Sequence, residues 1–67
     1  MARPNLIDIV QSHNLVLEYF NGDKTKTNLW FETPNPALGG ISPDEMINLG
    51  REQRLLKFIQ ESLKENY

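Results

Sequence analysis

Cysteine is absent from this sequence of 67 residues, which excludes a disulfide framework and thiolate zinc sites. Histidine occurs once, at His13, and one imidazole with scattered acids makes a poor metal site. Basic residues are in deficit: seven Lys and Arg stand against nine Asp and Glu, a formal net charge of −2. Nucleic-acid-binding domains draw most of their affinity from phosphate neutralisation by a basic stripe, and none is visible here. No apolar run approaches the roughly 20 residues of a membrane span, and the N-terminal MARPNLIDIV lacks the regions of a signal peptide. The expectation is a cytoplasmic protein with no membrane segment and no cofactor, a single domain over residues 1–67. A hydrophobic content of 39% without low-complexity tracts or repeats argues for a folded chain. At this size a core rarely supplies more than about 3–5 kcal/mol, so association with itself or with a partner is expected.

What is present concentrates between Trp30 and Gly50, WFETPNPALGGISPDEMINLG. That stretch holds the only Trp, three of the four prolines (Pro34, Pro36, Pro43) and three of the four glycines (Gly39, Gly40, Gly50). Prolines restrict φ and glycines permit φ > 0, so the pattern predicts a shaped corner and not a floppy linker. Pro34 and Pro36 push Thr33 and Asn35 out of the α region and stop the helix that carries Trp30. Gly39 and Gly40 turn the chain back over Leu38. Ser42 then caps a new helix, with Pro43 at its first position, Asp44 in its first turn and Glu45 three residues after the cap.

Four helices are predicted around that corner. From Leu6 to Phe20, the residues Leu6, Ile9, Val10, Val16, Leu17 and Phe20 form one stripe at about 100° per residue. The rival reading is a hairpin of LIDIV and LVLEYF around Ser12-His13-Asn14. His13 lies mid-stripe, where a half-buried imidazole bonded to a backbone carbonyl is the simpler reading and a pH-sensitive contact or general base the sharper one. Asn21-Gly22-Asp23 breaks the chain, with Gly22 as a left-handed stop and Asp23 as the next cap. A second helix over Lys24 to Thr33 contains three threonines, so its support must come from burying Leu29, Trp30 and Phe31. Trp30 is expected to anchor the core. The third helix, Pro43 to Leu49, buries Met46, Ile47 and Leu49 and ends or bends at Gly50. In the fourth, from Arg51 onward, Leu55, Leu56, Phe58, Ile59 and Leu63 cover one arc, while Gln53, Arg54, Lys57, Gln60, Glu61, Lys64 and Glu65 cover the other. The fold expected is all-α, a small compact bundle of about four short helices with the Pro/Gly-rich loop between the second and third.

No constellation for catalysis emerges. Asp44 and Glu45 are explained by capping, and Asp8, Glu18, Glu32 and Glu52 have no evident reactive partner. Gly39-Gly40 before a helix resembles a phosphate cradle only superficially, because no Lys-Ser/Thr pair follows and the two acids would repel an anion. A non-enzymatic protein-binding module is favoured. One alternative is a small DNA-binding regulator whose last helix presents Arg51, Gln53, Arg54 and Lys57; another is a structural oligomerisation module.

Trp30-Phe31, the Thr33-Pro34-Asn35 turn, Ala37-Leu38-Gly39-Gly40, Ser42-Pro43 with its acidic helix start, and the amphipathic helix Arg51 to Leu63 together resemble the toxin-binding domain of Xre/MbcA/ParS-type antitoxins. The resemblance runs from about Val16 onward, and its most specific part is Leu-Gly-Gly, one residue, then Ser-Pro. Thr27 departs from the small Ala common in the family three residues before the Trp. The DNA-binding region that precedes this domain in full antitoxins has no counterpart in the residues before Val16, so a stand-alone version or an excised domain is expected. The resemblance implies a helical domain that neutralises a cognate toxin, commonly of the NAD-consuming RES type, that dimerises, and whose C-terminal end reaches toward the toxin's active-site cleft. On this sequence the implied partner-binding residues are Arg54, Lys57, Glu61, Lys64, Glu65, Asn66 and Tyr67. Trp30, Pro34, Leu38, Gly39, Gly40, Ser42 and Pro43 are the expected structural set.

Overall fold

The structure is a computed structural model that describes residues 5–63. Four helices follow one another: α1 (Leu6–Tyr19), α2 (Lys24–Glu32), α3 (Pro43–Asn48) and α4 (Glu52–Ser62), with a 3₁₀ turn, Pro36–Leu38, between α2 and α3. Among the described residues there is no strand, only the single antiparallel bridge Asn35–Ile41. The hairpin reading of residues 6–20 is therefore overturned: the segment is one continuous helix. Among the described residues, no helix is long and apolar enough to cross a membrane.

Three of the four helix starts have a local side-chain cause. Asn5 Oδ1 accepts from the amides of Ile7 and Asp8 at 3.1 and 3.2 Å and starts α1. Asp23 Oδ1 accepts from Lys26 N–H at 3.0 Å and starts α2, as its place after the break predicted. Ser42 Oγ accepts from Glu45 N–H at 3.2 Å and starts α3, with Pro43 at the first helical position. In each case the side chain satisfies a donor that the first turn leaves without a helical partner.

The helix ends are equally specific. α3 closes with Gly50 at φ +76°, the Arg51 amide donating to Met46 O at 2.8 Å and the Gly50 amide to Ile47 O at 3.0 Å. This paired pattern needs a left-handed residue after the cap, a place glycine fills without strain. α1 ends the same way, Gly22 N–H donating to Leu17 O at 2.8 Å and Asn21 N–H to Glu18 O at 3.0 Å. There the residue directly after the cap is Asn21, at φ +57°, with Gly22 following at φ +83°. Gly22 is thus the second left-handed residue and not the stop itself; asparagine tolerates the conformation better than other L residues.

The core takes Val16 from α1, Phe31 from α2, Met46 from α3, and Leu55 and Ile59 from α4, all buried. Leu15, Phe20, Trp30, Leu38, Ile41, Ile47, Phe58 and Leu63 pack around it. α1 lies most extensively against α4. The inward face of α1 differs from the stripe read off the sequence. Ser12 and Val16 are fully buried, whereas Leu6 and Val10 remain 72% and 55% exposed. Ser12 can be buried because its hydroxyl donates to Asp8 O at 2.8 Å, which removes the cost of an unpaired polar group. α1 is apolar around most of its girth, so periodicity alone did not say which side meets α4.

Phe31, only 2% exposed, occupies the centre of the core, and Trp30 is only partly buried. The Trp30 ring meets Phe31 edge-on, centroids 5.0 Å apart. On its other side Phe31 stacks on His13 at 4.0 Å and 9°. His13 is half-buried, with Nδ1 3.1 Å from Ile9 O, the simpler of the two roles open to it in the sequence.

Candidate partner-binding site

The corner between α2 and α3 is built on the backbone of Asn35. Its amide donates to Ile41 O at 2.9 Å, and its carbonyl accepts from Leu38 N–H at 2.9 Å and Gly40 N–H at 3.1 Å. The side chain adds a fourth bond, Oδ1 accepting from Ala37 N–H at 2.9 Å. Thr33 and Asn35 are extended, as a following proline requires. Gly39 and Gly40 sit at φ +82° and +87° and return the chain to Ile41. Leu38 and Ile41 from this loop then close over the core, and Pro43 is buried. Pro34, by contrast, is exposed and acts only through the backbone. Asn35 was absent from the expected structural set; the Asn-Pro dipeptide is the signal that could have marked it.

The second constellation is the outer face of α4. Gln53, Arg54, Lys57, Gln60 and Glu61 are all exposed, opposite the buried Leu55, Leu56 and Ile59. Arg54, Lys57 and Glu61 therefore share a solvent-facing strip that can carry polar and charged contacts. Lys64, Glu65, Asn66 and Tyr67 lie outside the described residues. The DNA-reading alternative would use the same helix, where Arg51, Gln53, Arg54 and Lys57 are exposed.

Glu52 breaks the polar pattern of that helix start. It is 5% exposed, and its Oε2 accepts from the Asn5 backbone amide at 2.7 Å. The contact joins residues 47 apart in sequence and ties the N-terminal ends of α1 and α4 together. Among the described residues, Oε1 is buried without a hydrogen-bond partner. Arg51, the cap of α4, contributes no side-chain bond to the helix start, so Glu52 is a cross-helix tie and not a capping group.

Among the described residues, besides the single exposed side chains Tyr19 and Leu49, two groups of apolar residues face solvent. One is the first half of α1, where Leu6, Ile7 and Val10 are 72%, 71% and 55% exposed. The other is an open groove of about 300 Å³ lined by Phe20, Lys26, Leu29, Trp30 and Thr33. The sequence pattern placed Leu29 and Leu49 in the core; at 61% exposed Leu29 belongs to this groove, and Leu49, the cap residue of α3, is 55% exposed. No group of three or more His, Asp or Glu among the described residues is placed to hold a metal ion.

Residues 15–56 match the family model of the antitoxin Xre/MbcA/ParS C-terminal toxin-binding domain. The match takes in the last five residues of α1, all of α2, the corner, α3 and the start of α4. It ends at Leu56, short of the Leu63 to which the sequence resemblance was carried. No curated protein and no solved structure is significantly similar to the chain.

Proposed function

Because the chain belongs to the antitoxin Xre/MbcA/ParS C-terminal toxin-binding domain family, we propose that it neutralises a cognate toxin of the RES type by covering the toxin's active-site cleft. The chain performs no chemistry in this reading: inhibition is occlusion. The observation that carries it is the family match, which takes in the hydrogen-bonded corner between α2 and α3. The Asn35 bonds and the left-handed Gly39-Gly40 pair shape the turn from α2 to α3, and α4 packs on α1 and α3, so in this reading the outer face of α4 exists before the partner arrives. Pre-organisation of this kind lowers the ordering cost of association.

The proposed contacts are Arg54, Lys57 and Glu61 on the outer face of α4, together with Lys64, Glu65, Asn66 and Tyr67, which lie outside the described residues. Exposed charges of this kind steer encounter and select a partner more than they add affinity. The protein acts in the cytoplasm, where the toxin consumes NAD, and self-associates as a homodimer that presents two such faces.

Co-expression with the toxin encoded beside its gene tests the reading. Growth is restored, the two proteins co-purify, and NAD turnover by the purified toxin falls as the chain is added. Continued toxicity without co-purification refutes it. The double variant Arg54→Glu, Lys57→Glu stays folded, because both residues are exposed, and loses at least about tenfold in affinity if α4 is a contact face.

A further inference from the structure

The groove on α2 has a construction that its position in the fold does not require. Lys26, Leu29, Trp30 and Thr33 follow i, i+3, i+4, i+7 spacing, one face of a helix, and Phe20, the cap residue of α1, closes the end. The opposite face of α2 already supplies the core through Thr27 and Phe31. A nine-residue helix therefore carries two apolar faces; among the described residues one supplies the core, while the other, though Phe20 and Trp30 also pack at the core's edge, leaves Leu29 61% exposed. Thr33 turns its hydroxyl back onto Leu29 O at 2.6 Å, which leaves its methyl group, and not a polar atom, for the groove wall.

Charge narrows the occupant. Lys26 is the one ionisable residue of the five, so the groove joins an apolar floor to a single positive rim in a chain whose net charge is −2. Location narrows it further. All five residues fall within the family match over 15–56, whereas the exposed Leu6, Ile7 and Val10 fall outside it. The groove is also open along one side and at the small end of pocket volumes, which suits one or two protruding side chains and not an enclosed small molecule.

We propose that this groove is a second toxin-docking site, which takes a segment of the toxin carrying a large apolar side chain with a carboxylate within one helical turn of it. The apolar side chain sits between Phe20, Leu29 and Trp30, and the carboxylate pairs with Lys26. The inference rests on the toxin-binding reading above and adds to it a surface on α2, separate from the outer face of α4.

The test is calorimetric titration of the full chain against the purified toxin encoded beside its gene, at two salt concentrations, with light scattering of each variant alone. Leu29→Ser weakens binding at least about tenfold, and Lys26→Met weakens it about threefold to tenfold and flattens the salt dependence. Lys24→Met, an equal change of charge outside the groove, leaves both unchanged. Leu29 and both lysines are exposed, so the variants fold, and far-UV circular dichroism verifies it. Binding that survives Leu29→Ser and Lys26→Met overturns the groove while leaving the toxin-binding reading intact. No binding by the unaltered chain overturns both. A homodimer that Leu29→Ser converts to monomer assigns the groove to a second copy and overturns the proposal as well.

Discussion

Replacing Phe31 by alanine is the sharpest test of how this domain is held together. The ring is 2% exposed, stacked on His13 at 4.0 Å and met edge-on by Trp30 at 5.0 Å. An aromatic side chain buries about 150–250 Å², which at about 25 cal/mol per Å² corresponds to about 4–6 kcal/mol. Residual burial in the unfolded chain reduces that to about 3–5 kcal/mol, the range found when buried aromatic residues are cut to alanine. A core of this size rarely supplies more than about 3–5 kcal/mol in total, so Phe31→Ala is expected to unfold the protein at 25 °C. Trp30→Ala, which removes a partly buried ring, is expected to cost about 2 kcal/mol and leave a folded population. Phe31→Leu keeps most of the volume but loses the stack, and should cost about 1–1.5 kcal/mol. Urea unfolding followed by far-UV circular dichroism reports all three without relying on Trp30 fluorescence. If Phe31→Ala unfolds cooperatively and within about 1 kcal/mol of the unaltered protein, or is more stable than Trp30→Ala, Phe31 is not the centre of the core and the packing described here is wrong.

Other expectations are narrower. Glu52→Ala removes the acceptor of the Asn5 amide and should cost about 1–3 kcal/mol in urea unfolding, with faster hydrogen exchange at Asn5; unchanged exchange there would mean that the tie is not formed in solution. Gly39→Ala and Gly40→Ala meet no atom within 4 Å, so their penalty is conformational alone, about 1–2 kcal/mol each for a left-handed L residue. A loss much beyond that would point to packing at the corner that the structure lacks. Asn35→Ala leaves the Ala37 amide without its acceptor and Ser42→Ala does the same to Glu45. Each is expected to lower stability by about 1 kcal/mol, with Ser42→Gly milder than Ser42→Ala.

Local features were the most legible part of this sequence. The helix starts at Asp23 and Ser42, the stop at Gly50 and the extended residues before Pro34 and Pro36 all follow from interactions within a few residues of each site. The buried arc of α4 was legible too, because its apolar residues are confined to one side. α1 was legible as a helix but not in its orientation. With apolar residues around most of the cylinder, a buried Ser12 and an exposed Val10 cannot be told from the reverse without the partner helix in place. Leu29 and Phe31 reversed the expected order of burial around Trp30 for a related reason. In a short helix with three consecutive large residues, Leu29-Trp30-Phe31, only the direction from which α1 and α3 approach selects the one that goes inside.

By itself the sequence determined that this is an all-helical chain with a shaped Pro/Gly corner, and which family the chain belongs to, since dihedral limits and capping bonds act between near neighbours. Tertiary structure alone decided which aromatic ring fills the core, that Glu52 reaches 47 residues back to Asn5, and that α2 keeps an apolar face open to solvent. Those outcomes depend on how helices distant in sequence meet, and the period of a single helix carries no record of its neighbours.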